Sequence, residues 1–298
     1  MNAIVPRDLD VDFRAVPRHW LAHNATATAI ANGVNLLFPH GERFFVRSVK
    51  HFLDQIERSE MGGGDPAGFA GGAGGKAPRG INAPELRAAI KGFFGQEGRH
   101  ARAHDQFNAI LRAQGYEIDR FLAGYHRLSS WLEAHTPPKL NLAITAAAEH
   151  FTAILAEGAF TENVLDAAAP EMRQLLAWHA AEELEHKAVA FDVLRAVDPS
   201  YALRIAGLLY ATVTLGGFWL WGAVSLMRQE RRGALGAWRE LGRMPRRDPI
   251  VRRVFLRGIR QYLAPGFHPS DNPTDRIASE WMAARGMSLP GGSSSEAA

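Results

Sequence analysis

The 298-residue chain predicts an all-α protein, a four-helix bundle with extra helices and a hydrophobic C-terminal appendage. Three observations lead there. Apolar residues recur at steps of three and four over long segments, prolines punctuate those segments, and strand signals are nearly missing. With 47% hydrophobic residues, the chain can bury a full core.

The elements follow in order. Residues 1–38 are mixed, with Pro6 and Pro17 breaking any long helix, and a first bundle helix begins around Pro39. Residues 61–80 are nearly half glycine and predict a flexible loop between the first and second bundle helices. Their GGAGGK stretch is no phosphate loop, since the pattern GxxxxGK[ST] and a preceding strand are both missing. Helices are expected at about 84–114, 116–134, 139–160 and 170–196, with Pro137, Pro138, Pro170 and Pro199 between them. Ile205 to Met227 is an uncharged run long enough to cross a bilayer, with Tyr210, Trp219 and Trp221 of the type found at interfaces. A single span would force the body across a membrane without a signal. A hairpin bent at Gly216/Gly217, a helix in one leaflet, or a helix packed on the bundle are the better readings. Residues 228–298 predict short amphipathic helices wrapping the body or a lipid surface, with a disordered GGSSSEAA end. The organisation is thus a metal-binding bundle over 1–200 and an appendage over 201–298.

Composition narrows the chemistry. There are no cysteines, which excludes disulfides, thiolate clusters and a cysteine nucleophile, so any metal must sit on Glu, Asp, His or water. That ligand set suits iron, manganese or zinc. Residues 1–204 carry 21 Lys+Arg against 24 Asp+Glu, whereas 228–298 carry 13 against 7. Clusters such as Arg243/Arg246/Arg247/Arg252/Arg253 come with no nucleic-acid module, so a membrane surface is the expected partner and nucleic acid is not. No secretory signal is visible in MNAIVPRDLDVDFR, so the expected location is the cytoplasm or the cytoplasmic face of the inner membrane.

Two Glu-x-x-His units carry the function, Glu97/His100 and Glu183/His186. Residues three apart on a helix lie one above the other, so each unit can aim a carboxylate and an imidazole at one ion. Each unit also interrupts an apolar stripe: Leu86, Ile90 and Phe93 precede Glu97, His100 and His104, with Phe107 and Leu111 beyond, while Met172 and Leu175 precede His179, Glu183 and His186, with Ala190 and Val193 beyond. Buried polar groups cost several kcal/mol unless partnered, so metal coordination explains both interruptions. The bland reading, ordinary helix salt bridges, suits one such unit better than two in register. Glu42 and Glu149 lie on apolar stripes of two further helices and complete a dinuclear carboxylate set. Glu42 could instead cap a helix starting at Pro39, and Glu157 is an alternative to Glu149. Gln96 and Glu182, each just before a ligand Glu, are candidates to orient a histidine on a neighbouring helix, with Asp105 and Asp192 as further candidates. His104 reads as an extra ligand, a proton carrier or a core histidine. His150 points about a quarter-turn from Glu149 and reads as a supporting or surface residue.

The order of these residues resembles the ferritin-like di-iron oxygenases, and His179, four residues before Glu183, is similar to the para-aminobenzoate N-oxygenase type. The stretches FPHGERFFVRSVKHF and FFGQEGRHARAHDQFN more closely resemble the bacterial family labelled predicted metal-dependent hydrolases. The resemblance, over roughly residues 15–200, implies a helical bundle with seven ligands, Glu42, Glu97, His100, Glu149, His179, Glu183 and His186. The expected cofactor is two metal ions, iron first and manganese or zinc next.

Four carboxylates balance two divalent ions and still stabilise them after oxidation, which favours an oxygenase or oxidase acting on an apolar or aromatic organic substrate with a separate electron donor. The alternative is a hydrolase using metal-bound hydroxide, and a third reading is an iron-handling protein without organic substrate. A GxSxG elbow is absent, which leaves little room for a serine hydrolase.

Overall fold

The computed structural model describes residues 4–56, 83–230, 236, 239 and 256–285. The expected glycine-rich loop at 61–80, most of the basic segment after 230 and the GGSSSEAA end lie outside the described residues. The protein is all-α. Among the described residues there is no strand, only an isolated antiparallel bridge between Leu21 and Ala168.

The helices are α1 (Ala25–Asn35), α2 (Phe38–Lys50), α3 (Ala83–Ala113), α4 (Asp119–His135) and α5 (Pro138–Thr161), followed by α6 (Pro170–His186), α7 (Val189–Val197), α8 (Tyr201–Met227), α9 (Arg257–Leu263) and α10 (Asp275–Ala283). Local chemistry sets several boundaries. The Asn24 side chain accepts from the Ala27 amide at 2.8 Å and caps α1. Pro138 and Pro170 open α5 and α6 at the first helical position, where a missing N–H costs nothing. Ser200 caps α8 through the Leu203 amide.

Three expectations need correction. Residues 1–38 contain a full helix, α1. The single helix expected at 170–196 is two, parted at Lys187 and Ala188; the buried Lys187 ammonium there donates to the Asn272 carbonyl at 3.0 Å and to Thr274 Oγ1 at 2.8 Å. The chain does not turn back at Gly216/Gly217, because α8 runs unbroken through both.

Helix α2 lies against α3 and α5, α5 lies against α6 and α7, and α3 lies against α6 and α7. Their apolar stripes meet in two clusters. One gathers Phe45, Val49, Ile90, Phe93, Leu142 and Val193, and the other Phe107, Leu111, Tyr125, Met172, Leu175 and Trp178. Burial of each such side chain contributes about 1.5–3 kcal/mol. The polar interruptions of the stripes lie between these clusters along α3 and α6, so the fold encloses them in a dry sheath.

Helix α8 is the one described helix long and apolar enough to cross a membrane, yet it packs on α1 and α5. Two glycines permit that approach. A Cβ at Gly207 would lie 2.5 Å from the Ala143 carbonyl carbon and oxygen, and one at Gly33 would lie 2.8 Å from the Ala223 nitrogen. The outer face of α8 is bare, with Leu209 63% and Val213 73% exposed.

Candidate metal centre

Glu42 of α2, Glu97 and His100 of α3, Glu149 of α5, and His179, Glu183 and His186 of α6 are all buried, none more than 3% exposed. They meet at one place. His186 Nε2 lies 3.1 Å from Glu97 Oε1, 3.3 Å from Glu149 Oε2 and 3.5 Å from Glu183 Oε2. His179 Nε2 lies 2.8 Å from Glu183 Oε1 and 3.6 Å from Glu42 Oε1. His100 Nδ1 lies 3.8 Å from Glu183 Oε1 and 3.9 Å from Glu97 Oε1. Glu183 thus faces two imidazoles with one oxygen and a third with the other. The geometry follows from helix register, since positions 179, 183 and 186 share one face of α6 as 97, 100 and 104 share one face of α3.

The other ring nitrogen of each imidazole is held by a side chain from elsewhere. His186 Nδ1 donates to Gln96 Oε1 at 2.9 Å, and His100 Nε2 donates to Glu182 Oε2 at 3.0 Å. The two helices are therefore reciprocal. The residue before the ligand Glu on each holds the histidine of the other. His179 Nδ1 meets His104 Nε2 at 2.7 Å, and His104 Nδ1 is bonded to Asn35 Oδ1, so both nitrogens of His104 are engaged. These partners turn the remaining nitrogen of each of the three imidazoles toward the carboxylates, the arrangement metal-bound histidines adopt.

A further layer comes from the N-terminal segment. Arg7 donates to Glu182 Oε1 through its amide at 3.1 Å and through Nη1 at 3.2 Å, and its guanidinium grips Glu185 through two bonds of 2.7 and 2.9 Å. Gln96 Nε2 donates to the same Glu185 at 2.8 Å. Sequence reasoning missed Arg7, Glu185 and Asn35. Arg7 and Asn35 fall in the stretch read as mixed, and Glu185 lies off the inward stripe of α6.

Other candidates lie elsewhere. His150, offered as a supporting residue, donates to or accepts from nothing in the cluster; its Nε2 donates to the Gly258 carbonyl at 2.9 Å, because one residue beyond Glu149 turns the side chain about 100° around α5. Asp105 is exposed and pairs with Arg43, Asp192 pairs with His268 at 2.7 Å, and Glu157 pairs with Arg257. None reaches the cluster. Glu42 lies inside α2 rather than capping it.

The electrostatics call for cations. Both oxygens of Glu42, Glu97 and Glu149, Glu183 Oε2, His100 Nδ1 and His186 Nε2 are buried without a hydrogen-bond partner. Burial, then the charges of Glu97, Glu183 and Glu149, pushes the Glu42 carboxyl well above its ordinary range. Burial and Glu149 do the same to Glu97, and burial lifts Glu149 to about 7. Burial would raise Glu183 too, but His186 and the bond from His179 outweigh it and hold Glu183 well below. For His186, burial is outweighed by Glu183 and Glu149, and the ring is pushed well above the usual imidazole range. Burial and then His179 push His100 and His104 down. Leaving several carboxylates buried without partners costs several kcal/mol each, and divalent cations remove that cost. Among the described residues, four triads have ligand atoms mutually within 4.8 Å: Glu97, Glu149 and His186; His100, His179 and Glu183; Glu42, Glu97 and His100; and Glu42, His104 and His179. The donor set fits metal ions.

A family model described as predicted metal-dependent hydrolase matches residues 5–64 and 75–273. No curated protein and no solved structure matches the chain.

Proposed function

The chain belongs to the family of predicted metal-dependent hydrolases, and on that premise we propose that it is a hydrolytic enzyme with two metal ions at this centre. The observation that carries the reading is the convergence of unpartnered carboxylate oxygens and imidazole nitrogens in one buried layer. Glu97, Glu149 and His186 form one pole, Glu42, His100 and His179 the other, and Glu183 faces both. When bound, the ions supply Lewis acidity and lower the pKa of water. Gln96, Glu182 and His104 hold the three imidazoles in ligating orientation, and Arg7 donates to Glu182 Oε1. Burial lifts Glu182 to about 8, and Arg7 pulls against it. Glu42 stands between these ligands and an apolar cavity, which it helps to line.

A second reading is oxygen chemistry in a ferritin-like bundle, with iron as the metal and an external electron donor. Four carboxylates to three imidazoles favour it. That donor set suits ions that change charge.

One experiment separates the two. Metal-stripped protein is reloaded with zinc, manganese or ferrous iron and assayed against ester and amide panels and for dioxygen uptake. Ester or amide turnover with zinc or manganese supports hydrolysis. Dioxygen consumption with iron alone, without hydrolysis, replaces it with the second reading, and failure to retain any ion refutes both.

A further inference from the structure

Beside the centre lies a cavity of about 220 Å³ between α2, α4, α5 and α8. Its wall is built chiefly of Phe38, Phe45, Phe151, Leu155, Leu215 and Trp219, and among the described residues Glu42 is its one charged group. Phe38 separates it from the imidazoles, its ring 4.5 Å from His104 and 4.4 Å from His179. The polar groups of the wall are committed to backbone. Tyr125, Thr152 and Thr212 donate their hydroxyls to the carbonyls of Leu37, Glu149 and Leu208, and Trp219 Nε1 donates to Ile30. Among the described residues, no arginine or lysine lines it. A carboxylate or phosphate entering there would lose its water and find no basic side chain among the described residues to replace it. An apolar cavity of ~150 Å³ already accepts benzene, so this one accepts a substituted ring. Thr212 and Gly216 in its wall are exposed, so it opens on the outer side of α8, next to the bare Val213.

We infer that this cavity binds the reacting molecule, and that the substrate class is a neutral, largely apolar organic molecule of substituted-benzene size or somewhat longer, entering past Gly216 with its reacting group toward Glu42. The inference deepens the proposed function and rests on it for the word substrate.

The test is calorimetric titration of the metal-loaded protein with neutral 4-ethylphenol and anionic 4-ethylbenzenesulfonate. Two variants narrow the cavity from opposite walls. Gly216→Leu places its side chain where a Cβ meets no atom within 4 Å, and it replaces glycine inside a helix, so it should fold at least as well as the parent. Leu155→Trp enlarges a half-buried side chain of α5. The phenol should bind at least tenfold more tightly than the sulfonate. Each variant should weaken phenol binding at least fivefold while metal content stays unchanged. Equal binding of the sulfonate, no binding of the phenol to full metal-loaded protein, or parental phenol affinity in both variants would overturn the inference. If the parent holds no metal yet binds 4-ethylphenol and loses it in both variants, the cavity stands and the metal centre fails.

Discussion

Glu42→Gln separates the burden of the cluster from its use. In the metal-free protein the Glu42 carboxyl is held well above its ordinary range by burial and by Glu97, Glu183 and Glu149, which favours its neutral form. Glutamine copies that neutral form, and metal-free stability should change by no more than about 1 kcal/mol. With ions bound the same change removes a ligand charge, and breaking one partner of a buried ionic set costs about 3–5 kcal/mol, roughly 10²- to 10⁴-fold in affinity. Thermal unfolding with and without metal reads both effects. At ~1,000 times Kd, metal should stabilise the parent by about 4 kcal/mol, which for a chain of this size is a shift of roughly 6 °C. The variant at the same concentration should gain under about 1.5 kcal/mol, a shift of no more than about 2 °C. An unchanged metal shift in Glu42→Gln would remove Glu42 from the ligands, and a metal-free variant that melts far below the parent would refute the protonation argument.

Three further outcomes follow. Metal-free protein should lose stability as pH rises, because an acid whose folded pKa is raised stabilises fully below its unfolded value of 4.5 and loses that contribution as pH passes the folded value; for Glu149, at about 7, this amounts to about 3 kcal/mol between those limits, and chemical denaturation from pH 5 to 8 should show a decline that saturating metal abolishes. His186 acts in the same direction and Glu183, held low, acts against acid, so a metal-free stability that rises across this window would contradict the assignment. Arg7→Gln removes the grip on Glu185 and leaves Glu182 without its guanidinium; metal affinity should fall about 10- to 100-fold by competition with a chelator, and parental affinity would make Arg7 a merely structural contact. Gly207→Val puts side-chain atoms where even a Cβ would meet Ala143 backbone at 2.5 Å, so it should destabilise by about 1–3 kcal/mol or more in urea, and a neutral result would mean that α8 does not rest on α5.

Helix periodicity made the centre readable because ligation demands an inward face. Glu97, His100, Glu183 and His186 replace apolar residues in stripes whose remaining members, such as Ile90, Phe93, Phe107 and Leu175, are fully buried. Boundaries were legible where proline marks them, as at Pro138 and Pro170. Helix α1 was not, since ATATAIANGVN carries no charge and little punctuation, and its reason for being helical is the distant α8 against which Gly33 lies. Arg7 and Asn35 act over long sequence separations, which local pattern does not encode. The split at Lys187 likewise depends on Asn272 and Thr274. The apolar run after residue 200 reads the same whether it meets lipid or protein, and the structure shows one face on α1 and α5 with the other bare.

The most direct measurement is metal analysis of the purified protein together with anomalous diffraction from its crystals. Two ions per chain are expected, with one density peak against Glu97, Glu149 and His186, a second against Glu42, His100 and His179, and Glu183 beside both. Protein that retains no metal after reloading, or peaks at any other place in the molecule, would contradict that expectation.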